Sequence, residues 1–241
     1  MSDIPSATST PASMAVNTLV DNVFRSLQTI ADSLYALCDR CEDAQVRPGS
    51  AELSGLRDVV TGELHRHGRL FNGAGVVTAD QLLADCPRFL EWWRPSSGSG
   101  HHARRLNLDL NPSSEYFYDY TEMEWFAVPR DHGTPCVAGP YLDYTGVDLY
   151  VCTFALPVTS ARGRFLGIAG ADVPVARIED ALLPTFIATR TPLALTNAEG
   201  RVIVANHADH VTGSKIRNSA HGLAVPVPHT SWSLVPLRDD A

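Results

Sequence analysis

Lysine is almost missing: of 19 basic residues in 241, Lys215 is the sole lysine and the rest are arginine. Schiff-base chemistry and a lysine-dependent phosphate loop therefore have one residue to rest on, and Thr212-Gly213-Ser214-Lys215-Ile216 lacks the glycine spacing of such a loop. Positive charge is scarce overall. With 27 acidic residues the formal charge is −8, and no cationic face for nucleic acid or anionic lipid is expected. No apolar run approaches the roughly 18 residues of a membrane span, and no basic start leads into a signal-type apolar stretch. Five cysteines, at 38, 41, 86, 136 and 152, have no framework spacing, which suits a reducing compartment. Cys38 and Cys41 resemble half of a metal site, but both fall on an apolar helical stripe and no matching second pair is present, so neither a metal nor a cofactor is expected.

What is present is patterned. Residues 1–13 are Ser, Thr, Pro and Ala without period and read as a disordered tail. From Val16 to about Cys41 apolar positions recur at three and four, the mark of a long amphipathic helix, and a second helix is expected from Ala51 to about His67. Strand signals begin at Gly73 to Val77, followed by a helical turn over Ala79 to Ala84 and strands at Phe89 to Trp93 and Arg105 to Leu110, the last alternating strictly. A helix is expected over Tyr116 to Phe126, ending before Pro129. Leu149 to Val158 and Arg164 to Val173 read as an antiparallel pair, and a helix from Pro174 to about Phe186 leads to short strands at Leu193 to Thr196, Arg201 to Ala205 and Trp232 to Leu237. The boundaries follow: tail 1–13, helices 14–67, a larger sheet module 68–184 and a smaller one 185–241.

Three stretches carry a resemblance. Gly139-Pro140-Tyr141-Leu142-Asp143, the apolar strand Leu149 to Val158 and Gly167-Ile168-Ala169-Gly170-Ala171-Asp172-Val173 resemble the double Cache sensor domains of bacterial receptors. The resemblance implies an α+β fold in which a long N-terminal helix packs on two PAS-like antiparallel-sheet modules, the larger binding ligand. Amino-acid-binding members carry Tyr, Arg five residues on, Trp two further, then Tyr-x-Asp and a final Asp. Here these positions fall on Tyr118, Met123, Trp125, Tyr141 with Asp143, and Asp172. The resemblance thus implies that the ammonium-holding half is kept and the carboxylate-holding Arg is replaced by Met123.

The chemistry agrees. An ammonium leaving water needs carboxylates to replace its hydration, and a quaternary ammonium is held by aromatic faces, for which Tyr118, Trp125, Phe126 and Tyr141 are suitable walls. Each residue also has a plain structural role to offer: Asp172 as an N-cap before Val173-Pro174, Asp143 in an Asx turn, Trp125 and Phe126 as core. The expectation is a non-enzymatic, stand-alone cytoplasmic sensor of a small cationic amine or quaternary ammonium compound. It would signal to a separate output protein, with a transcription regulator as one candidate, and would not touch nucleic acid or membrane itself. The first helix could also pair two copies into a homodimer. The competing expectation is an enzyme acting on a small amine, either metal-dependent or built on Cys136 with His132, Asp131 and Asp143 close in sequence.

Overall fold

Thr10 and Pro11 start the first helix earlier than its apolar spacing requires. Ser13 N–H donates to Thr10 Oγ1 (3.2 Å), Met14 N–H to the Thr10 carbonyl (3.0 Å), and Pro11 occupies the first helical position, where a missing N–H costs nothing. Helix α1 therefore spans Pro11–Asp43, and the expected tail is shorter than 13 residues at its described end. The computed structural model describes residues 10–68, 70–96, 103–143, 149–216 and 224–237. Most of the expected tail lies outside them.

The apolar stripe of α1 is buried as its period predicts, with Val16, Val23, Leu27, Ile30 and Leu34 inaccessible. Where one helix is expected over 51–67 there are two, α2 (Ser50–Ser54) and α3 (Arg57–Arg66). The break falls at Gly55 and Leu56, whose N–H groups turn back to Glu52 and Leu53 three residues earlier.

Among the described residues ten strands form two sheets. The first has six: β1 (Gly73–Thr78), β2 (Leu90–Pro95), β3 (Ala103–Arg105), β4 (Cys136–Asp143), β5 (Leu149–Thr159) and β6 (Phe165–Pro174), in spatial order β3-β2-β1-β6-β5-β4. The second has four: β7 (Leu193–Thr196), β8 (Val202–Ala205), β9 (Val225–Pro226) and β10 (Ser233–Pro236), in order β8-β7-β10-β9. Between the sheets in sequence lies α5 (Val175–Ala188), with Pro184 inside it. By compactness the chain falls into two units, both discontinuous. One holds Val23–Ala138 and Thr153–Val173; the other holds the chain up to Asn22, Gly139–Cys152 and everything from Pro174.

In the first unit, Phe24 of α1 meets Phe154 of β5 edge to face (5.6 Å), and Arg57 of α3 lies 4.8 Å over the Trp93 ring of β2. One face of the sheet is thereby covered by helices. In the second unit Asn206 ties helix to sheet, accepting from Leu193 N–H (2.8 Å) and donating to the Phe186 carbonyl (2.7 Å). Asn197 closes the turn between β7 and β8 by accepting from Arg201 N–H (2.9 Å), and its amide reaches the Gly139 carbonyl of β4 (3.0 Å).

Four expectations need correction. Residues 79–84 form turns and bends rather than a helical turn. The alternating stretch 105–110 pairs only at its start, through β3; beyond Arg105 it stays outside the ladder, held by Leu106 N–H to the Trp92 carbonyl (2.8 Å), with its leucines half-buried and its polar residues exposed. Alternation records one covered face and does not require a strand partner. The helix expected over 116–126 is displaced: a 3₁₀ turn at Tyr120–Glu122 precedes α4 (Glu124–His132), which runs through Pro129 and stops at Gly133 in the left-handed region (φ 64°). Residues 136–143, expected as loop and turn, are strand β4.

Candidate functional site

Strand register decides which side chains meet. Gly73 of β1 pairs with Asp172 of β6, and Gly75 pairs with both Gly170 of β6 and Trp92 of β2. Directly paired residues project from the same face of a sheet, so these five positions share the face opposite Glu91, Trp93 and Phe154.

Glycine at three of the five clears that face for one large ring. A Cβ on Gly73 would stand 2.5 Å from Trp92 Nε1, and one on Gly170 would stand 3.1 Å from Trp92 Cη2, so the indole lies along the sheet across positions that carry no side chain. At Gly75 a Cβ would come within 2.0 Å of the Glu91 carbonyl oxygen, a clash with backbone that cannot give way.

Asp172 sits at the edge of this cleared patch and is buried. Thr153 Oγ1 of β5 donates to its Oδ1 (2.7 Å), and Arg94 Nη2 of β2 lies 3.9 Å from its Oδ2. The plain role foreseen for it, an N-cap, does not apply: Asp172 is inside strand β6, and the N-cap position of α5 is Pro174. The Trp92 indole N–H points to the same spot and meets no hydrogen-bond acceptor among the described residues.

The other sequence-predicted residues divide. Trp125 and Phe126 of α4 are buried and meet edge to face (6.2 Å), and Phe126 also contacts Tyr120 (5.0 Å) and Phe165 (5.6 Å). Phe126 is thus a core residue of an aromatic cluster. Met123 caps α4 and is partly exposed, and Tyr118 is half-buried, its N–H donating to the Asp109 carbonyl (2.7 Å). Tyr141 and Asp143 occupy alternate positions near the end of β4, Tyr141 half-buried and Asp143 buried, and belong to the second compact unit, whereas Tyr118, Met123, Trp125, Phe126 and Asp172 belong to the first.

Two residues escaped sequence reasoning. Arg94 and Trp92 lie in the run Glu91-Trp92-Trp93-Arg94, which reads as an ordinary strand, and only the register against β1 and β6 brings them beside Asp172. A signal was nonetheless present in Gly73-x-Gly75 and Gly170, small residues in strands where a neighbour approaches closely. Met123 is therefore not the whole account of positive charge here: a buried guanidinium stands next to Asp172.

The constellation suggested for an enzyme is chemically weak. Cys136 is buried against the Glu124 carbonyl (Sγ to O 3.9 Å), and burial pushes its thiol up to about 12. Asp131 is occupied by its neighbour Arg130 (2.7 Å), whose hydrogen bonds hold the carboxyl below its usual range. Among the described residues no three His, Cys, Asp or Glu side chains converge as a metal site would require.

Residues 98–180 match the family described as methyl-accepting chemotaxis protein-like, first PDC sensor domain. The chain is 26% identical over 110 residues to the methyl-accepting chemotaxis protein TlpQ of Pseudomonas aeruginosa, a match covering 42% of this chain and 15% of that protein. In structure it is similar to the periplasmic sensory domain of the Campylobacter jejuni chemoreceptor Tlp1, with TM-score 0.61, 8% identity and coverage of 93% and 90% of the two chains. It is also similar to the ligand-binding domain of the Pseudomonas aeruginosa amino acid chemoreceptor PctC in complex with GABA, with TM-score 0.54, 15% identity and coverage of 95% and 96%. The fold of this chain is that of the double Cache, or PDC, sensor domains, with residues 98–180 matching the chemoreceptor-like first PDC module.

Proposed function

We propose that the chain is the ligand-binding part of a sensor, and that its six-stranded sheet module takes up a small amine whose ammonium is received by Asp172. One observation carries this reading: a buried carboxylate, fixed by Thr153 and 3.9 Å from Arg94, stands at the edge of a sheet face where Gly73 and Gly170 carry no side chain and the Trp92 indole lies along the strands. Tyr118 and Trp125, in the same compact unit, are proposed as walls; Tyr141 and Asp143 are proposed as ligand residues on the resemblance of their Tyr-x-Asp spacing. The chain spans only 15% of the chemotaxis protein it matches, so the output, a separate signalling partner, is likewise a proposal.

A cytoplasmic setting is supported by five unpaired cysteines and is not supported by Tlp1, whose similar domain is periplasmic. No described helix is long and apolar enough to cross a membrane. Fractionation of cells expressing the protein decides the compartment.

Calorimetry against primary amines, quaternary ammonium compounds, polyamines and amino acids tests the ligand reading. Asp172→Asn removes one carboxylate charge with little change of shape and should weaken binding on the order of a hundredfold. Undiminished binding by that variant overturns the assignment. Asp143→Asn, run in parallel, tests the Tyr-x-Asp residues.

A further inference from the structure

Two histidines of the second unit meet just past the end of β8. The segment His207-Ala208-Asp209-His210 is closed by His210 N–H donating to the His207 carbonyl (3.2 Å), and its two imidazoles stand 5.6 Å apart between centroids with a tilt of 49°. That tilt is neither the offset stack nor the edge-to-face arrangement in which aromatic rings attract. The spacing suits a shared ion better. Two imidazoles bound to one divalent ion at about 2.0–2.1 Å have centroids roughly 5.2 Å apart at a tetrahedral angle, so this pair needs to close by only about 0.4 Å.

The turn is held at both ends. Before it, Asn206 accepts from Leu193 N–H (2.8 Å) and donates to the Phe186 and Thr191 carbonyls (2.7 and 3.0 Å); after it, Gly213 N–H returns to the Val202 carbonyl (2.8 Å). Rings carried on an anchored backbone cost a ligand less ordering when it binds. Asp209 brings a negative charge to the same turn. Its side chain is 84% exposed and so able to move, its Oδ2 lies 3.8 Å from His207 Nδ1, and its N–H donates to that nitrogen at 3.3 Å. The Nδ1 edge of His207 is thus turned toward its own loop, and Nε2 is the nitrogen offered to an ion.

We propose that His207 and His210 form a site for a late first-row divalent ion of the Zn²⁺ and Ni²⁺ class, with Asp209 as the carboxylate behind His207. Imidazole nitrogen selects these ions over Mg²⁺ and Ca²⁺, which take oxygen. When Nε2 of His207 binds the ion its proton passes to Nδ1, which changes from accepting the Asp209 N–H to donating to Asp209 Oδ2, the pairing that orients a metal-bound histidine. Among the described residues no third His, Cys, Asp or Glu joins the pair in a metal cluster, so water completes the coordination. None of these residues belongs to the proposed amine site, and the two readings stand or fall separately.

The test uses the full chain, stripped with EDTA and dialysed, and titrates ZnCl₂, NiCl₂ and MgCl₂ calorimetrically into the parent, His207→Gln, His210→Gln, Asp209→Asn and, as a control, His65→Gln. Zn²⁺ and Ni²⁺ should bind the parent and Mg²⁺ should not. His207→Gln and His210→Gln should each weaken Zn²⁺ binding by at least about tenfold, Asp209→Asn by on the order of tenfold, and His65→Gln should leave it unchanged. Diethyl pyrocarbonate labelling followed by peptide mass mapping gives a local readout: Zn²⁺ should protect His207 and His210 and leave His65 reactive. Circular dichroism confirms that each variant is folded. Equal Zn²⁺ affinity in the parent and the two histidine variants overturns the site, as does protection of His65 in place of the pair. Failure of Zn²⁺ and Ni²⁺ to bind the parent at about millimolar concentration overturns it as well. Unchanged binding by Asp209→Asn overturns the part assigned to the carboxylate.

Discussion

Thr153 on β5 and Asp172 on β6 are joined by a 2.7 Å hydrogen bond in which the hydroxyl donates and the buried carboxylate accepts. Hydrogen bonds to charged groups contribute about 1.5–3 kcal/mol when their partner cannot turn to water. Thr153→Val is nearly isosteric and removes only the donor, so it should lower the stability by about that amount, read as a lower urea midpoint at unchanged slope. An unchanged midpoint would mean that Asp172 is satisfied without Thr153.

The glycines of the sheet are expected to behave unlike those of the turns. At Gly75 an added Cβ meets the Glu91 backbone carbonyl at 2.0 Å, whereas at Gly133, where φ is 64°, it meets nothing within 4 Å. Gly75→Ala should therefore push β1 from β2 and cost more than about 3 kcal/mol, with loss of soluble protein as the extreme. Gly133→Ala should cost only about 1 kcal/mol, the strain of the left-handed conformation. Thermal unfolding of the two variants side by side checks the ordering.

These residues also mark how far the sequence could be read. The stripe of α1, the hairpin of β5 and β6 and the small second sheet were legible because each rests on local period and turn residues such as Gly163 and Gly200, both at positive φ. The start of α1 was obscured because a Ser, Thr and Pro composition typical of disorder is also the composition of a capped helix start at Thr10 and Pro11. Asp172 is singled out by the order of motifs, but its neighbours Arg94 and Trp92 are not, since their meeting depends on β2, β1 and β6 lying side by side. Register across long sequence separations has no local signature, and charge counted along a motif misses what the neighbouring strand supplies.

A pH dependence is expected from His67. Its Nε2 is 2.8 Å from Ser26 Oγ, and burial holds the imidazole below its usual 6.5, opposed by Glu63 and assisted by Arg66. With the folded value depressed, the unfolded chain takes up a proton that the folded chain refuses as pH falls through about 6.5. Stability is therefore lost from that point downward until the folded state also protonates. His67→Gln should flatten the stability curve between neutral pH and the carboxylate range, measured as the difference in urea unfolding between parent and variant. A parallel slope in both proteins would show that His67 titrates freely.

The thiols give the sharpest contrast between sensor and enzyme. Burial pushes Cys38 up to about 11 and Cys136 up to about 12, and it raises Cys152, which is wholly inaccessible. At pH 8 each is then almost entirely in the unreactive thiol form as well as shielded. Iodoacetamide under native conditions should label the partly exposed Cys41 and Cys86 first and leave the other three unmodified until urea unfolds the chain, as peptide mass mapping would show. Because the folded thiol values lie above the ordinary 9, folded stability should also fall as pH rises beyond about 9, where only the unfolded chain ionises. Stoichiometric labelling of Cys136 within minutes in the folded protein would instead reveal an activated thiolate and return the nucleophile reading to contention.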